Sequence, residues 1–256
     1  MIRYEFPLNE KTRKFLRLEE IFIKADMQIA SRMKSSGYDL FETLFNLMAS
    51  ASRSDMKIEL IQELERQRTK IYKLTKTKKN NKMLLDIKKL RGMLEKSSIP
   101  PGFYFGTNKF LQEIKARSDS PFGILSTDFP EMQLWLQTQT PESRRIYFRN
   151  KFSPFIPIKN TIIYLNDILR RNAKLENRMT NNGRYEVKLD SLHKNDLVVI
   201  ELSNTPELLP ALSSNKYAIN INLNSVKKSL NPLSRSIKFK LVLPLFNSNE
   251  NIMSNM

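Results

Sequence analysis

Apolar side chains recur at steps of three and four residues along the first two-thirds of the chain. Over residues 9–33 this spacing predicts a helix with one buried face, which begins at the favourable N-cap Asn9. The apolar positions of that helix are Phe15, Leu18, Phe22, Ala25 and Ile29. The same criterion predicts further helices at residues 40–49, 108–116, 130–137, 140–151 and 158–172. We therefore expect helices to dominate as far as residue 172.

Two longer amphipathic segments lie at residues 54–74 and 83–94, on either side of the polar run TKTKKNNK. That run spans residues 75–82 and has no apolar side chain, so it predicts an exposed turn between two antiparallel helices. Twelve basic and two acidic residues occupy positions 66–96, which gives this segment a net charge of +10. The pattern predicts a helical hairpin with a basic tip.

Beyond residue 180 the pattern changes to short runs that alternate or are rich in β-branched residues. These runs are RYEVKLDSL, DLVVIEL, KYAININL and SIKFKLVL. They predict strands, and we expect the last two runs to pair as antiparallel neighbours across the polar residues 224–235. The N-terminal run IRYEF alternates in the same way and is expected to join the sheet.

The predicted fold class is α+β, with an N-terminal α-helical domain followed by a smaller, mostly antiparallel β-sheet domain of sandwich-like form. We expect the helical domain to cover residues 9–172 and the β domain to cover residues 180–246. Residues 1–8 are expected to add a strand to the β domain. Residues 247–256 are mostly polar and predict a flexible tail.

Composition excludes most classes of enzyme that have a sequence signature. The 256 residues contain no cysteine and one histidine, His193. Disulfides, thiolate nucleophiles and Cys/His zinc sites are therefore excluded. His193 lies in the polar run SLHKND, a context typical of an exposed histidine. No apolar segment approaches the length needed to span a bilayer. We expect a soluble protein of a reducing compartment that has no cofactor and no metal.

Catalytic motifs are also missing. The run GFYFGTNK at residues 102–109 is only loosely similar to a phosphate-binding loop, since bulky aromatic side chains occupy positions where backbone amides would have to approach phosphate. The sequence contains no nucleophile elbow, zincin or EF-hand pattern. A carboxylate pair stays open, because acid–base catalysis needs only two correctly spaced groups. We expect a binding protein and not an enzyme.

The formal net charge of +17, from 43 basic and 26 acidic residues, predicts an acidic partner. Nucleic acid, an anionic membrane surface and an acidic protein segment would each respond to such a field. A nucleic-acid-binding adaptor that uses the hairpin at residues 66–96 is therefore kept as the alternative function. The chain is also rich in Lys, Asn and Ile, and AT-biased coding would raise the charge without selecting a ligand.

Several motifs together resemble the ZapD family of bacterial cell-division factors. The strongest is YEFPLNEKTRKFLRLE at residues 4–19. The others follow in the family's order: IELIQELERQ, NKFLQEIKARS, the D-x-P-x-x-x-x-W-L pattern that ends at Leu136, LNDILRRNA, Gly183 with Tyr185, and LPALSSNKYAI. Each motif is short, but their agreement in order covers almost the whole chain.

The resemblance implies a cytoplasmic homodimer that acts at the mid-cell division ring. It implies that the chain binds the C-terminal tail of the tubulin-like GTPase FtsZ and crosslinks or bundles FtsZ filaments. It implies no catalysis, no small-molecule substrate and no membrane insertion. A two-fold dimer would present two equivalent tail sites, so that one molecule could tether neighbouring filaments.

The resemblance also implies a basic pocket for the tail. The first motif places Arg17 in this pocket, with Arg13 one turn earlier on the same helical face. Lys115 and Arg117 stand where relatives carry Arg in an I-R-Q-R pattern, and Gln133 stands where several relatives carry His. The predicted partner-binding residues are therefore Arg13, Arg17, Lys115, Arg117 and Gln133.

Three departures from the family pattern bear on this pocket. Lys115 cannot reproduce a bidentate arginine contact. Gln133 donates and accepts hydrogen bonds but adds no positive charge, which argues against a pH-sensitive role there. Residues 121–123, which are Pro-Gly-Gly in relatives, read Pro-Phe-Gly in this chain.

A simpler interpretation is kept beside the functional one. Arg13 and Arg17 would then pair with Glu10 and Glu20 on a solvated helical face. Trp135 and Leu136 are predicted to be core anchors and not ligand contacts.

Overall fold

The structure is a computed structural model. It describes residues 1–30, 37–51, 54–73, 77–97, 105–118, 129–171, 174–188, 196–203, 207–215, 217–226 and 235–243. Four features of the sequence lie outside the described residues. They are the start of the loop GFYFGTNK, the Pro-Phe-Gly run at 121–123, His193 and the predicted tail at 247–256.

Eight α-helices occupy most of the described residues up to Arg171, as the apolar periodicity predicted. They are α1 Glu10–Ala30, α2 Gly37–Ala51, α3 Ser54–Tyr72, α4 Lys78–Lys96, α5 Lys109–Ser118, α6 Pro130–Thr138, α7 Pro141–Phe152 and α8 Ile156–Arg171. A 3-10 turn at Ser153–Phe155 joins α7 to α8. Asn9 caps α1, because its Oδ1 accepts a hydrogen bond from the amide of Thr12 at 2.8 Å.

Helices α3 and α4 form the predicted hairpin, but the turn between them is shorter than predicted. Helix α4 begins at Lys78, although the sequence pattern placed its first residue near Met83. The Thr77 hydroxyl accepts a hydrogen bond from the amide of Asn80 at 3.1 Å and caps the helix. Lysine is compatible with a helix, so residues 78–82 continue the helix on an exposed first turn and do not form a loop.

Seven strands form two antiparallel sheets among the described residues. They are β1 Ile2–Pro7, β2 Lys174–Met179, β3 Arg184–Lys188, β4 Leu197–Leu202, β5 Leu208–Ser214, β6 Ala218–Ser225 and β7 Lys238–Leu243. The four-stranded sheet has the order β1-β4-β7-β2, and the three-stranded sheet has the order β3-β6-β5. In the register of the first pair, Ile2 lies opposite Leu202 and Pro7 lies opposite Leu197.

The predicted pairing of KYAININL with SIKFKLVL is wrong. Strand β6 pairs with β3 and β5, whereas β7 pairs with β2 and β4, so the two runs belong to different sheets. The sequence between β6 and β7 is too long for a tight hairpin, and only a tight turn obliges consecutive strands to pair. The structure also adds β2 and β5, which the sequence pattern did not predict.

Side chains from both sheets fill one apolar core. The four-stranded sheet contributes Val198, Ile200, Leu202, Phe239 and Leu241. The three-stranded sheet contributes Leu208, Ile219, Ile221 and Leu223. Two sheets that bury their inner faces against each other form a sandwich. This core, together with the helices that precede it, confirms the predicted α+β class.

A tight turn at Asn182 and Gly183 leads from β2 of one sheet to β3 of the other. Both residues have a positive φ, 49° at Asn182 and 72° at Gly183. Positive φ at both central positions is the backbone of a type I′ turn, which favours the Asn-Gly sequence found here. Asn181 and Arg184 close the turn with reciprocal backbone hydrogen bonds of 2.8 and 2.9 Å.

The chain divides into two compact units. One comprises Met1–Phe15 with Asn166–Met256 and contains both sheets, and the other comprises Leu16–Leu165 and is helical. Within the first unit, Arg170 at the end of α8 donates to Glu5 of β1, with an Nε to Oε1 distance of 2.9 Å. The domain boundaries expected from the sequence stay a prediction.

Candidate partner-binding site

Nine aromatic side chains of the helical unit form one connected group, which we call the aromatic cluster. Phe41 lies at its centre, fully buried, with its ring centroid 4.8 Å from that of Phe148 and 5.5 Å from that of Trp135. Edge-to-face pairs of this kind each contribute about 0.5–1.5 kcal/mol beyond the burial of their area. The members are Phe41, Phe45, Phe105, Phe110, Phe129, Trp135, Tyr147, Phe148 and Phe152.

Gly37 allows α6 to pack closely against the first turn of α2. A Cβ at this position would lie 2.7 Å from Cδ2 of Leu136 and 3.3 Å from Cζ3 of Trp135. Both distances are shorter than ordinary van der Waals contact, so any larger residue would push these side chains away. Gly37 therefore helps to place Trp135 against the ring of Phe41 in the aromatic cluster.

Two of the predicted site residues, Lys115 and Arg117 of α5, lie over rings of the aromatic cluster. Lys115 Nζ is 5.8 Å from the centroid of Phe45, and Arg117 Cζ is 4.4 Å from the centroid of Phe129. Both distances fit a cation–π contact, which holds a cation at a protein surface by about 0.5–1 kcal/mol. Arg117 also lies near Glu113 Oε2 at 3.8 Å and is 37% exposed. The structure thus places both cations at the rim of one apolar base.

Gln133, the third predicted residue of this region, lies one helical turn after Phe129. Its backbone N–H donates to the carbonyl of Phe129 at 3.3 Å, and its side chain is exposed on α6. Phe129 precedes the first residue of α6, and Arg117 lies over its ring, so this contact connects α5 to the start of α6. Lys115 and Arg117 therefore supply two positive charges over rings of the aromatic cluster, and Gln133 lies on the exposed surface of α6, one turn after Phe129.

Arg13 and Arg17 lie on the exposed face of α1, but they differ in their partners. Arg13 Nη1 contacts Glu10 Oε1 at 2.5 Å, which agrees with the simpler interpretation of that residue. Arg17 makes no ion pair or hydrogen bond with any residue that the structure describes, and Glu20 is not its partner. No hydrogen bond, ion pair or cation–π contact among the described residues joins Arg17 to the aromatic cluster.

Tyr147 is the one side chain of the aromatic cluster that can ionise, and its pKa is shifted. Burial raises the pKa of Tyr147 to about 12, because the phenolate would lose its hydration there. Its hydroxyl is buried and finds no hydrogen-bond acceptor or donor among the described residues. Lys151, one turn later on α7, places Nζ 5.3 Å from the ring centroid of Tyr147. Tyr147 is therefore protonated at neutral pH and acts as a packing residue.

Sequence reasoning missed the rings that support the predicted cations. One cation–π contact of the aromatic cluster, between Lys151 and Tyr147, could have been predicted from spacing, because residues four apart on a helix face each other. Phe45 and Phe129 reach Lys115 and Arg117 from other elements, and no spacing along the chain could have indicated those contacts.

Neither a metal-binding cluster nor a membrane-spanning helix is found among the described residues. They contain no group of three or more histidine, aspartate or glutamate side chains that could hold a metal ion. None of the helices in this part of the chain is both long enough and apolar enough to cross a bilayer.

Comparison with known proteins assigns the chain to a family. Residues 16–222 match the family model ZapD, described as a cell division protein. The chain is 29% identical to the cell division protein ZapD of Aromatoleum aromaticum over 248 residues, which covers 94% of this chain and 96% of the relative. It is 32% identical to that of Nitrosomonas eutropha, over 86% of this chain and 89% of the relative. It is 31% identical to that of Chromobacterium violaceum, over 88% and 90%. The chain therefore belongs to the ZapD family of cell division proteins.

Proposed function

We propose that this protein binds the C-terminal tail of FtsZ and, as a homodimer, crosslinks FtsZ filaments at the division ring in the cytoplasm. The observation that carries the proposal is the pair of cations that rest on the aromatic cluster, in a chain of this family. The protein acts by binding alone, with no catalysis and no cofactor.

The chemistry of the rim suits a short tail that has both carboxylates and apolar side chains. Arg117 offers a planar guanidinium whose position is fixed by the ring of Phe129 and by Glu113. A carboxylate would gain a charge-assisted hydrogen bond there. Apolar side chains of the tail would cover the neighbouring rings, and Gln133 would accept or donate hydrogen bonds to its backbone.

Arg17 offers a second cation, on α1. Because it has no ion-pair partner among the described residues, a tail carboxylate would not have to displace one. Arg13 is paired with Glu10 on an exposed face, and such pairs are weak, so Arg13 would exchange partners at a small cost in free energy. We therefore expect Arg17 to contribute more to tail binding than Arg13 does.

Dimerisation would turn a weak contact into a crosslink. Two equivalent tail sites on one molecule raise the effective concentration of the second site once the first is occupied. A two-fold dimer would thus bundle filaments although each single tail binds only modestly.

Co-sedimentation with FtsZ tests the proposal directly. We expect the protein to increase the amount of FtsZ that pellets as bundles, and deletion of the FtsZ tail to abolish the effect. Arg17→Glu and Arg117→Glu should each weaken binding of a labelled tail peptide by at least about tenfold, which corresponds to about 1.4 kcal/mol. Reversal of Lys78 and Lys79 should slow association only modestly.

Lys188→Glu is the matched control, because it makes the same change of charge at an exposed position on β3. Helical circular dichroism and the dimer, measured by sedimentation velocity, should be unchanged in all variants. Pelleting that does not depend on the tail would refute the proposal. Equal loss of binding in Lys188→Glu and Arg117→Glu would show that net charge, and not the rim of the aromatic cluster, governs association.

A further inference from the structure

The basic hairpin of α3 and α4 separates its arginines from its lysines. Each arginine is neutralised within the hairpin: Arg66 by Glu63, with an Nη2 to Oε1 distance of 2.7 Å, and Arg68 by Glu65 at 3.2 Å. Arg91 contacts Glu95 at 2.7 Å and also reaches across to Glu65. The excess charge of the hairpin is therefore carried by its lysines.

Six lysines of α4 are exposed and form no ion pair with any residue that the structure describes. They are Lys78, Lys79, Lys82, Lys88, Lys89 and Lys96. Helix α4 contains only two acidic residues, Asp86 and Glu95, and Glu95 already forms an ion pair with Arg91. Among the described residues, the six lysines of α4 thus face a single carboxylate of the same helix that has no arginine partner, Asp86, and the outer face of α4 is strongly cationic.

Four of these lysines lie in one line along the helix. Lys78, Lys82, Leu85, Lys89, Gly92 and Lys96 follow one another at alternating steps of four and three residues. This spacing places the six residues on one face of the helix. At 1.5 Å per residue the line is about 27 Å long. We call these six residues the lysine seam.

The lysine seam contains an apolar depression at its centre. Leu85 is 67% exposed although it is a large apolar side chain. A Cβ added at Gly92 would meet nothing within 4 Å, so the position is open towards solvent. The resulting hollow of about 410 Å³ is lined by Leu85, Lys88, Lys89, Gly92, Met93 and Lys96.

We propose that the lysine seam is a second docking surface, which binds an acidic amphipathic helix of a partner protein. Carboxylates on the partner would pair with the lysines, and a large apolar side chain would enter the hollow beside Leu85 and Gly92. A second copy of this chain is unsuitable as the occupant, because the same face would set lysines against lysines. This surface is separate from the aromatic cluster, and the proposal does not depend on FtsZ binding.

The hollow favours a peptide over nucleic acid, although both would be attracted by the charge. A phosphate backbone would leave Leu85 covered by charged oxygens and would put nothing apolar into the hollow beside Gly92. The hairpin also has no uncommitted arginine for reading bases, since Arg66, Arg68 and Arg91 each have a glutamate partner. The nucleic-acid alternative raised by the sequence becomes an outcome of the test.

The test measures binding to the full-length protein by fluorescence anisotropy. The first probe is a labelled synthetic helix with glutamate at the seam positions and leucine at the central one. The second probe replaces that leucine by serine at the same charge, and the third is a DNA duplex. We expect the leucine peptide to bind about tenfold more tightly than the serine peptide, because the leucine side chain would be removed from water in the hollow and the serine side chain would bury little apolar surface there.

Three variants make the result specific. Lys89→Glu should weaken the leucine peptide by about tenfold or more, because it reverses a charge at the hollow. Leu85→Ser should weaken the leucine peptide at least about fivefold and leave duplex binding unchanged. Lys188→Glu, the same charge change on β3, should have little effect on the affinity for the leucine peptide or for the duplex.

The proposal is overturned if Leu85→Ser leaves peptide affinity unchanged, or if the two peptides bind equally well, since either result would describe a general polyanion surface. Tighter binding of the duplex than of the leucine peptide at equal salt would establish the nucleic-acid alternative. Because Leu85 is exposed, its replacement should not unfold the hairpin, and circular dichroism at the helical bands confirms that.

Discussion

Gly183 and Gly92 are glycines with different structural roles, one in a tight turn and one within a helix. Gly183 has a φ of 72°, and its carbonyl accepts a hydrogen bond from the amide of Leu223 at 2.7 Å. Gly92 lies within α4 in an ordinary helical conformation, with open space where a side chain would be. The first glycine is required by the backbone, and the second weakens the helix that contains it.

Replacement by alanine should therefore act in opposite directions at these two positions. Gly183→Ala should lower the free energy of unfolding by about 1–2 kcal/mol, because a Cβ is strained at positive φ. Gly92→Ala should raise it by about 0.5–1 kcal/mol through helix propensity. Urea unfolding followed by circular dichroism measures both values. A loss of stability in Gly92→Ala would contradict the open environment described for that residue.

Tyr147 should contribute a pH dependence to stability at alkaline pH. Its pKa is raised to about 12 in the folded protein, whereas an unfolded tyrosine ionises near 10. Between about pH 10 and pH 12 the unfolded chain loses this proton and the native protein keeps it, so stability falls as the pH rises. Tyr147→Phe should lack this part of the fall.

At pH 7 we expect Tyr147→Phe to be at least as stable as the parent, because the hydroxyl is buried with no partner among the described residues. Urea unfolding at pH 7 and at pH 11 gives the comparison. Tyr217→Phe, at a position that is 77% exposed, is the control and should behave as the parent does. A marked loss of stability at pH 7 would mean that the Tyr147 hydroxyl has a partner.

At the residue scale, the cations of the candidate site were predicted from the sequence, but the side chains around them were not. The family resemblance named Lys115, Arg117 and Gln133, and the structure places the first two over Phe45 and Phe129 of the aromatic cluster. The supporting rings come from α2 and from the start of α6. Contacts between distant elements have no periodic signature, which is why the cations could be proposed without the surface on which they rest.

At the scale of elements, α3 and α4 are joined by the contact between Glu65 and Arg91. Burial alone would raise the pKa of Glu65, but hydrogen bonds from Arg91 and Arg68 outweigh it and lower that pKa below its usual value. A carboxyl whose pKa is lower in the folded state contributes stability at neutral pH and loses it on acidification. The hairpin should therefore weaken as the pH falls through the acidic range.

Glu65→Gln tests this contribution. We expect the variant to be less stable than the parent at pH 7 and the difference to shrink towards pH 3, because the parent loses the contribution of the ion pair as its carboxyl takes up a proton. Thermal unfolding at both pH values measures the effect, and Glu42→Gln, at an exposed position on α2, is the control. A difference between Glu65→Gln and the parent that is as large at pH 3 as at pH 7 would exclude the ion pair as its cause.

The helices were predictable because long segments repeat the same period several times, as in α1 and α3. Two strands were not, for different reasons. Strand β2, KLENRM, is short and mostly polar, and β5, LLPALSS, contains Pro210. Proline is tolerated in β5 because this strand lies at the edge of its sheet, where one side needs no hydrogen-bond partner. Edge position is a property of the sheet and cannot be seen in the strand itself.

At the scale of the whole molecule, the order of helices before strands was enough to predict the α+β class. It was not enough to predict which strands share a sheet. The N-terminal strand β1 pairs with β4, although Ile2 and Leu202 are two hundred residues apart in the chain. Such pairings depend on which apolar faces are buried together, and that choice is made only when the sandwich forms.

The distribution of charge was likewise only half visible in the sequence. The sum of +17 and the concentration of basic residues at 66–96 are compositional facts. The structure adds that glutamates pair with the arginines of this segment. The excess positive charge on α4 is therefore carried by its lysines. A surface of lysines on one exposed face is a different target from a mixed basic patch, and it makes the lysine seam a specific hypothesis.

Trp135 is the only tryptophan in the chain, and it lies inside the aromatic cluster. Its indole emission is therefore an intrinsic optical reporter of the helical unit. Its ring lies 6.0 Å from Phe110, which in turn lies 5.8 Å from Phe129 beneath Arg117. A tail that docks on that rim would change the emission without any added dye, whereas melting of the β-sandwich, which has no tryptophan, would pass unseen.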